Sequence, residues 1–102
     1  MKLTFKRGTL GNRLQRVGHP YSTVDIKLGG KVIGTIDPPT WQTKDHKWRI
    51  RFSVSQTPTE QDPCSWRWFV VKNRFDDEAS ARTFVIDNTN GILKLNLYIQ
   101  PE

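Results

Sequence analysis

The chain has a single cysteine, Cys64, among its 102 residues. No disulfide can form within it, and a reducing, cytoplasmic setting is the expectation. No apolar stretch approaches the roughly 20 residues that span a bilayer, so no membrane contact is expected. The basic opening stretch is not followed by an apolar segment, and it does not read as a secretory signal. Soft metal ligands are few and scattered: His19, His46 and Cys64 are far apart, with no CxxC, HxH or HExxH spacing. Cys64 stands between Pro63 and Ser65 with no nucleophile-elbow pattern around it. Neighbouring carboxylates occur as Asp76, Asp77 and Glu78, and these suit the positive end of a helix dipole better than a shared metal ion. The Gly29-Gly30 pair lies between two strand-like segments, not between a strand and a helix, so it is no phosphate cradle. These absences together point away from an enzyme, and no metal or cofactor is expected.

Acid is also missing from one end. Residues 1–18 hold Lys2, Lys6, Arg7, Arg13 and Arg16 and no Asp or Glu. The other 84 residues carry 11 basic and 10 acidic side chains, so most of the net charge of +6 belongs to the N-terminal segment. A segment of this kind attracts phosphate backbones or an acidic protein surface through its long-range field. Basic tails also serve simply as solvated ends.

The strongest pattern present is strict alternation. Residues 47–54 place Trp48, Ile50, Phe52 and Val54 on one face and Lys47, Arg49 and Arg51 on the other. Residues 65–72 form a second aromatic run, in which Arg67, Phe69 and Val71 oppose Trp66 and Trp68. A short first strand is expected over residues 2–6. Residues 7–20, glycine-containing and rich in Arg, are expected to be a partly mobile loop. Val24, Ile26 and Leu28 alternate before Gly29-Gly30, a type I′ hairpin signal, and residues 31–36 form the return strand. Gly34 inside that strand implies a bulge or a close aromatic neighbour. Asp76 is a candidate N-cap for one helix that carries Ala81, Phe84 and Val85 as its apolar stripe and ends before Gly91. Leu93, Leu95, Leu97 and Ile99 alternate and predict a last strand. The size prior gives one domain of the α+β class over residues 1–102. It has a mostly antiparallel sheet of about five to six strands and one late helix on one face. Trp48, Ile50, Phe52, Trp66, Trp68, Phe84, Leu95 and Leu97 are its expected core.

If both tryptophan sets share that core, the outer face carries Lys47, Arg49, Arg51 and Arg67 around an exposed Phe69. Guanidinium groups grip phosphate bidentately and an exposed ring stacks on a base. The expected site is therefore Lys47, Arg49, Arg51, Arg67 and Phe69, with Arg7, Arg13 and Arg16 as a mobile arm and the Trp41 loop as a further candidate. The same alternation also produces an ordinary solvated sheet face. The stretch from Trp48 to Val85 consists of two Arg/Trp strands, then Phe75 and a helix with an acidic start at Glu78-Ala79. It resembles the sheet-plus-helix DNA-binding modules at the N-terminus of phage-type integrases. That resemblance covers about a third of the chain and implies strands entering a DNA major groove through Arg49, Arg51 and Arg67. The expected function is a small non-catalytic binding protein acting on nucleic acid, or on nucleic-acid machinery, through a basic aromatic sheet face. The alternative is a phage-type inhibitor or adaptor that blocks a host nucleic-acid-processing or defence complex by protein contact.

Overall fold

A computed structural model describes residues 2–7, 23–39, 45–61 and 65–99. It is an α+β fold. Five strands run in chain order: β1 (Leu3–Arg7), β2 (Val24–Leu28), β3 (Lys31–Asp37), β4 (Arg49–Ser55) and β5 (Trp66–Val70). They form one antiparallel sheet in which each strand pairs with its sequence neighbour, in the order β1-β2-β3-β4-β5. Two short helices follow, α1 (Glu78–Asp87) and α2 (Thr89–Leu93).

The β2–β3 turn forms as its sequence requires. Gly29 and Gly30 have φ of 60° and 86°, the left-handed pair that a type I′ hairpin needs and that side chains resist. Four residues later the return strand slips. Ile26 pairs with Gly34 but Lys27 pairs with Val32, which leaves Ile33 as the extra residue of a β-bulge. Both expectations for Gly34 hold. It sits at the bulge, opposite Phe52 on β4. A Cβ there would collide with the Arg51 carbonyl oxygen and lie 2.8 Å from Phe52 Cδ1.

One face of the sheet holds the core. Val24, Ile26, Ile33, Ile36, Ile50 and Phe52 are essentially inaccessible, and Ala81, Val85 and Ile92 pack on them from the helices. Trp48 is buried on this face as expected, and its backbone pairs with Phe75 on both sides. That bridge keeps the chain after β5 alongside the residues that lead into β4. The Arg74 guanidinium holds the turn by donating to the carbonyls of Val71, Lys72 and Asn73.

The helical region departs from its expected form in two ways. The N-cap is Asp77, whose carboxylate accepts from Ser80 N at 2.7 Å, while Asp76 pairs with Lys47. Either acid satisfies the cap preference, and the Trp48–Phe75 bridge decides which one reaches the helix. Second, Gly91 does not end helical structure. α1 stops at Asn88, and α2 continues through Gly91 to put Ile92 into the core. Residues 92–99 are accordingly not a strand. What remains of the expected pairing is one bridge, Leu97 to Val54, supported by Ser55 N to Asn96 O and Tyr98 N to Ser53 O. Leu95 and Leu97 are half-buried, and Leu93 and Ile99 are exposed.

Gly34→Ala tests the tight contact at the sheet centre. The clash involves backbone, which cannot swing aside, so a loss of about 1–3 kcal/mol in urea unfolding is expected. Asp77→Ala tests the cap. The Ser80 amide holds the Asp77 carboxyl below its ordinary value of 3.8. Its stabilisation is therefore present at neutral pH and lost as pH falls through the depressed value. The variant is expected to melt below wild type at pH 7, with the two melting temperatures converging in acid.

Candidate nucleic-acid interface

Register fixes which side chains share the sheet face opposite the helices. Lys6 pairs with Asp25, Asp25 with Thr35, Thr35 with Arg51 and Arg51 with Val70, a row running across all five strands. Beside it lie Asp37 with Arg49, then Ser53 with Trp68 and Ser55 with Trp66. The alternation of β4 is thus as expected: Arg49 and Arg51 lie opposite Ile50 and Phe52.

The expected parity of β5 is reversed. Val71 is buried in the core, and Phe69 pairs with Phe52 on the helix-bearing face. Trp66 and Trp68 therefore do not share the core with Trp48. They stand on the cationic face, Trp66 half-buried and Trp68 37% exposed. Arg67 and Phe69 are likewise corrected. Both project on the helix-bearing face, away from Arg49 and Arg51. Arg67 is opposite Val54, and its Nη1 donates to the Trp66 carbonyl at 2.8 Å. Phe69 is 46% exposed at the lip of an open apolar groove of about 410 Å³, lined also by Val71, Phe84, Ile92 and Leu95. Apolar residues occupy both parities of β5, so alternation alone does not say which set turns inward. The burial of Val71 next to Ile50 decides it.

On the cationic face the rings assemble into one cluster. Trp66 and Trp68 meet edge to face at 5.2 Å between centroids, and Tyr98 stacks on Trp66 at 5.7 Å with an interplanar angle of 17°. The Arg51 guanidinium lies 4.2 Å from the Trp68 ring centroid, a cation–π contact. Arg51 also pairs with Asp37, its Nη2 donating to Oδ1 at 3.3 Å. Its Nε is closer, 2.5 Å from Oδ2, which completes the ion pair. Thr35 Oγ1 also donates to Asp37, at 3.0 Å, which orients the carboxylate. Beneath the cluster Ser53 is fully buried, and its hydroxyl has no hydrogen-bond partner among the described residues. Tyr98 reaches the cluster through the Leu97–Val54 bridge, a pairing no local pattern announces.

The charges here are partly balanced. Burial pushes the Asp25 carboxyl above its ordinary value, opposed by the charges of Lys27 and Lys6. Lys47 is committed elsewhere: its ammonium hydrogen-bonds Asp76 at the start of the helical region, which raises its pKa. Arg7 closes β1. Arg13, Arg16, Trp41, His19 and Cys64 lie outside the described residues. His46 is exposed, with φ of 53°. Among the described residues no three of His, Cys, Asp and Glu gather as a metal site, and no helix is long and apolar enough to cross a membrane.

No family model, curated protein or solved structure matches the chain. The integrase-module resemblance therefore gains no support from relatives, and Arg67 does not share a face with Arg49 and Arg51 as it implies.

Asp25→Asn measures the balance on this face. A raised carboxyl pKa means the charged form is disfavoured in the fold, a cost felt at neutral pH and absent in acid below 3.8. The variant is expected to melt higher than wild type at pH 7 and equal to it in acid. A lower melting temperature at pH 7 would mean that attraction to Lys6 and Lys27 outweighs burial.

Proposed function

We propose that the sheet face opposite α1 and α2 binds single-stranded nucleic acid, with bases stacking at Trp66, Trp68 and Tyr98 and phosphates held by Arg49, Arg51, Lys27 and Lys6. The observation that supports this is the ring cluster itself, set on the cationic side of the sheet with a guanidinium over Trp68. A half-exposed tryptophan on a polar sheet face contributes little to the core, whereas base–aromatic stacking is worth about 1–3 kcal/mol per base and accepts any base. Basic side chains flanking such rings supply the salt-dependent component of binding.

The charge distribution favours weak positive potential over a strongly charged surface. Among the described strand residues, Lys6, Lys27, Arg49 and Arg51 share the face with Asp25 and Asp37. Stacking then carries a larger share of affinity than phosphate pairing, and the basic N-terminal segment adds attraction at longer range. An open sheet face with rings along its β5 side suits unpaired bases, which can splay onto it, better than a closed duplex.

Titration of fluorescently labelled single-stranded DNA and RNA at several salt concentrations tests the reading. Binding with quenched tryptophan emission is expected. Trp68→Ala should weaken it about 5- to 150-fold, the range of one lost stacking contact. Arg49→Gln should reduce the magnitude of the log-affinity versus log-salt slope by about one. Absence of binding at low salt, or binding indifferent to Trp68, would overturn the proposal and leave docking on a protein complex as the function to pursue.

A further inference from the structure

We infer that β5 is a self-pairing edge through which two copies of the chain join into one continuous antiparallel sheet. β5 ends the sheet, and its outer side is unpaired among the described residues. Folded proteins usually blunt such edges with charge, proline or bulges. The opposite edge, β1, does so: its five residues include Lys6 and Arg7. β5 reads Trp66, Arg67, Trp68, Phe69, Val70, with no proline and one charge. Trp68, Phe69 and Val70 are 37%, 46% and 44% exposed, so the strand offers apolar surface on both faces.

The backbone hydrogen bonds settle which groups are on offer. Val71 N donates to Ile50 O, and Ser65 O accepts from Gln56 N. Odd-numbered residues therefore bond to β4, and the N–H and C=O groups of Trp66, Trp68 and Val70 point outward. A two-fold axis at Trp68 makes the strand its own complement. Trp68 then pairs with the same residue of the second copy, and Trp66 with its Val70, each exchanging both backbone hydrogen bonds.

Side chains select the same register. With the axis at Trp68, Arg67 lies across from Phe69 of the second copy, a cation facing a ring. Moving the axis to Arg67 sets two guanidinium groups against each other, and like charges directly opposite are unfavourable. The Trp68 register also uses the whole strand. In the single copy the Arg67 guanidinium covers the outward Trp66 carbonyl. On pairing, that acceptor passes to a backbone amide. The arrangement is isologous and closes on itself, so it yields a dimer and not a fibre. It does not depend on nucleic acid.

Sedimentation equilibrium of the full chain without nucleic acid, over micromolar to millimolar concentrations, is the test. A reversible dimer is expected. Trp68→Pro removes an outward N–H that an edge strand does not need, so it should fold and be monomeric. Val70→Lys, which keeps the backbone intact, should also be monomeric, and a cooperative thermal melt confirms folding of both. Phe69→Arg should raise the dissociation constant about tenfold, because the substitution acts twice across the axis, and Phe69→Glu should lower it in a salt-sensitive manner. A wild-type monomer throughout the range would overturn the inference. So would folded Trp68→Pro or Val70→Lys that still dimerises, or Phe69→Arg and Phe69→Glu behaving alike.

Discussion

The ring of Phe52 seated over Gly34 sets the geometry on which both sheet faces depend. A side chain at Gly34 has no room, so β3 and β4 approach each other at this point in one register. That register aligns Ile36 with Ile50 beneath the helices and Thr35 with Arg51 above. A slip of one residue would exchange the faces, driving arginines into the core and isoleucines into water. The bulge at Ile33, in the ladder on the other side of β3, lets the strand carry an additional buried isoleucine next to the tight spot.

Where one parity of a strand was apolar and the other polar, its placement was legible in the sequence. β4 is the clear case, and the Gly29-Gly30 hairpin and the Ala81–Val85 stripe were equally so. β5 was not, because Trp66 and Trp68 compete with Phe69 and Val71 for the interior. The contest is settled by which pair lies over Ile50 and Phe52, a tertiary fact. The C-terminal leucines misled for a similar reason. Alternation suits a strand, yet Asn88 and Gly91 allow a second helical turn, and burying Ile92 favours it. Of the candidate site, Arg49 and Arg51 were readable. The aromatic half was hidden by the parity of β5, and Tyr98 by a bridge to Val54 spanning more than forty residues.

The cationic face is built from interactions of unequal strength. Exposed ion pairs such as Lys47–Asp76 contribute little to stability on their own, because water and salt screen them. The Arg51 arrangement differs, since a half-buried guanidinium is held between a ring and a carboxylate that Thr35 orients. Those contacts order the guanidinium within the folded chain, so it retains little rotamer freedom.

The strand order has a consequence for how the chain acquires its shape. Every ladder joins consecutive strands, so the sheet can grow one hairpin at a time, the longest connection being the 16 residues between Arg7 and Val24. The Val54–Leu97 bridge is different in kind, because it joins residues 43 apart in the sequence. Closing that long loop costs more chain entropy than closing a hairpin, so amide protons at Ser55 and Tyr98, which depend on the bridge, are expected to exchange faster than those of the central strands.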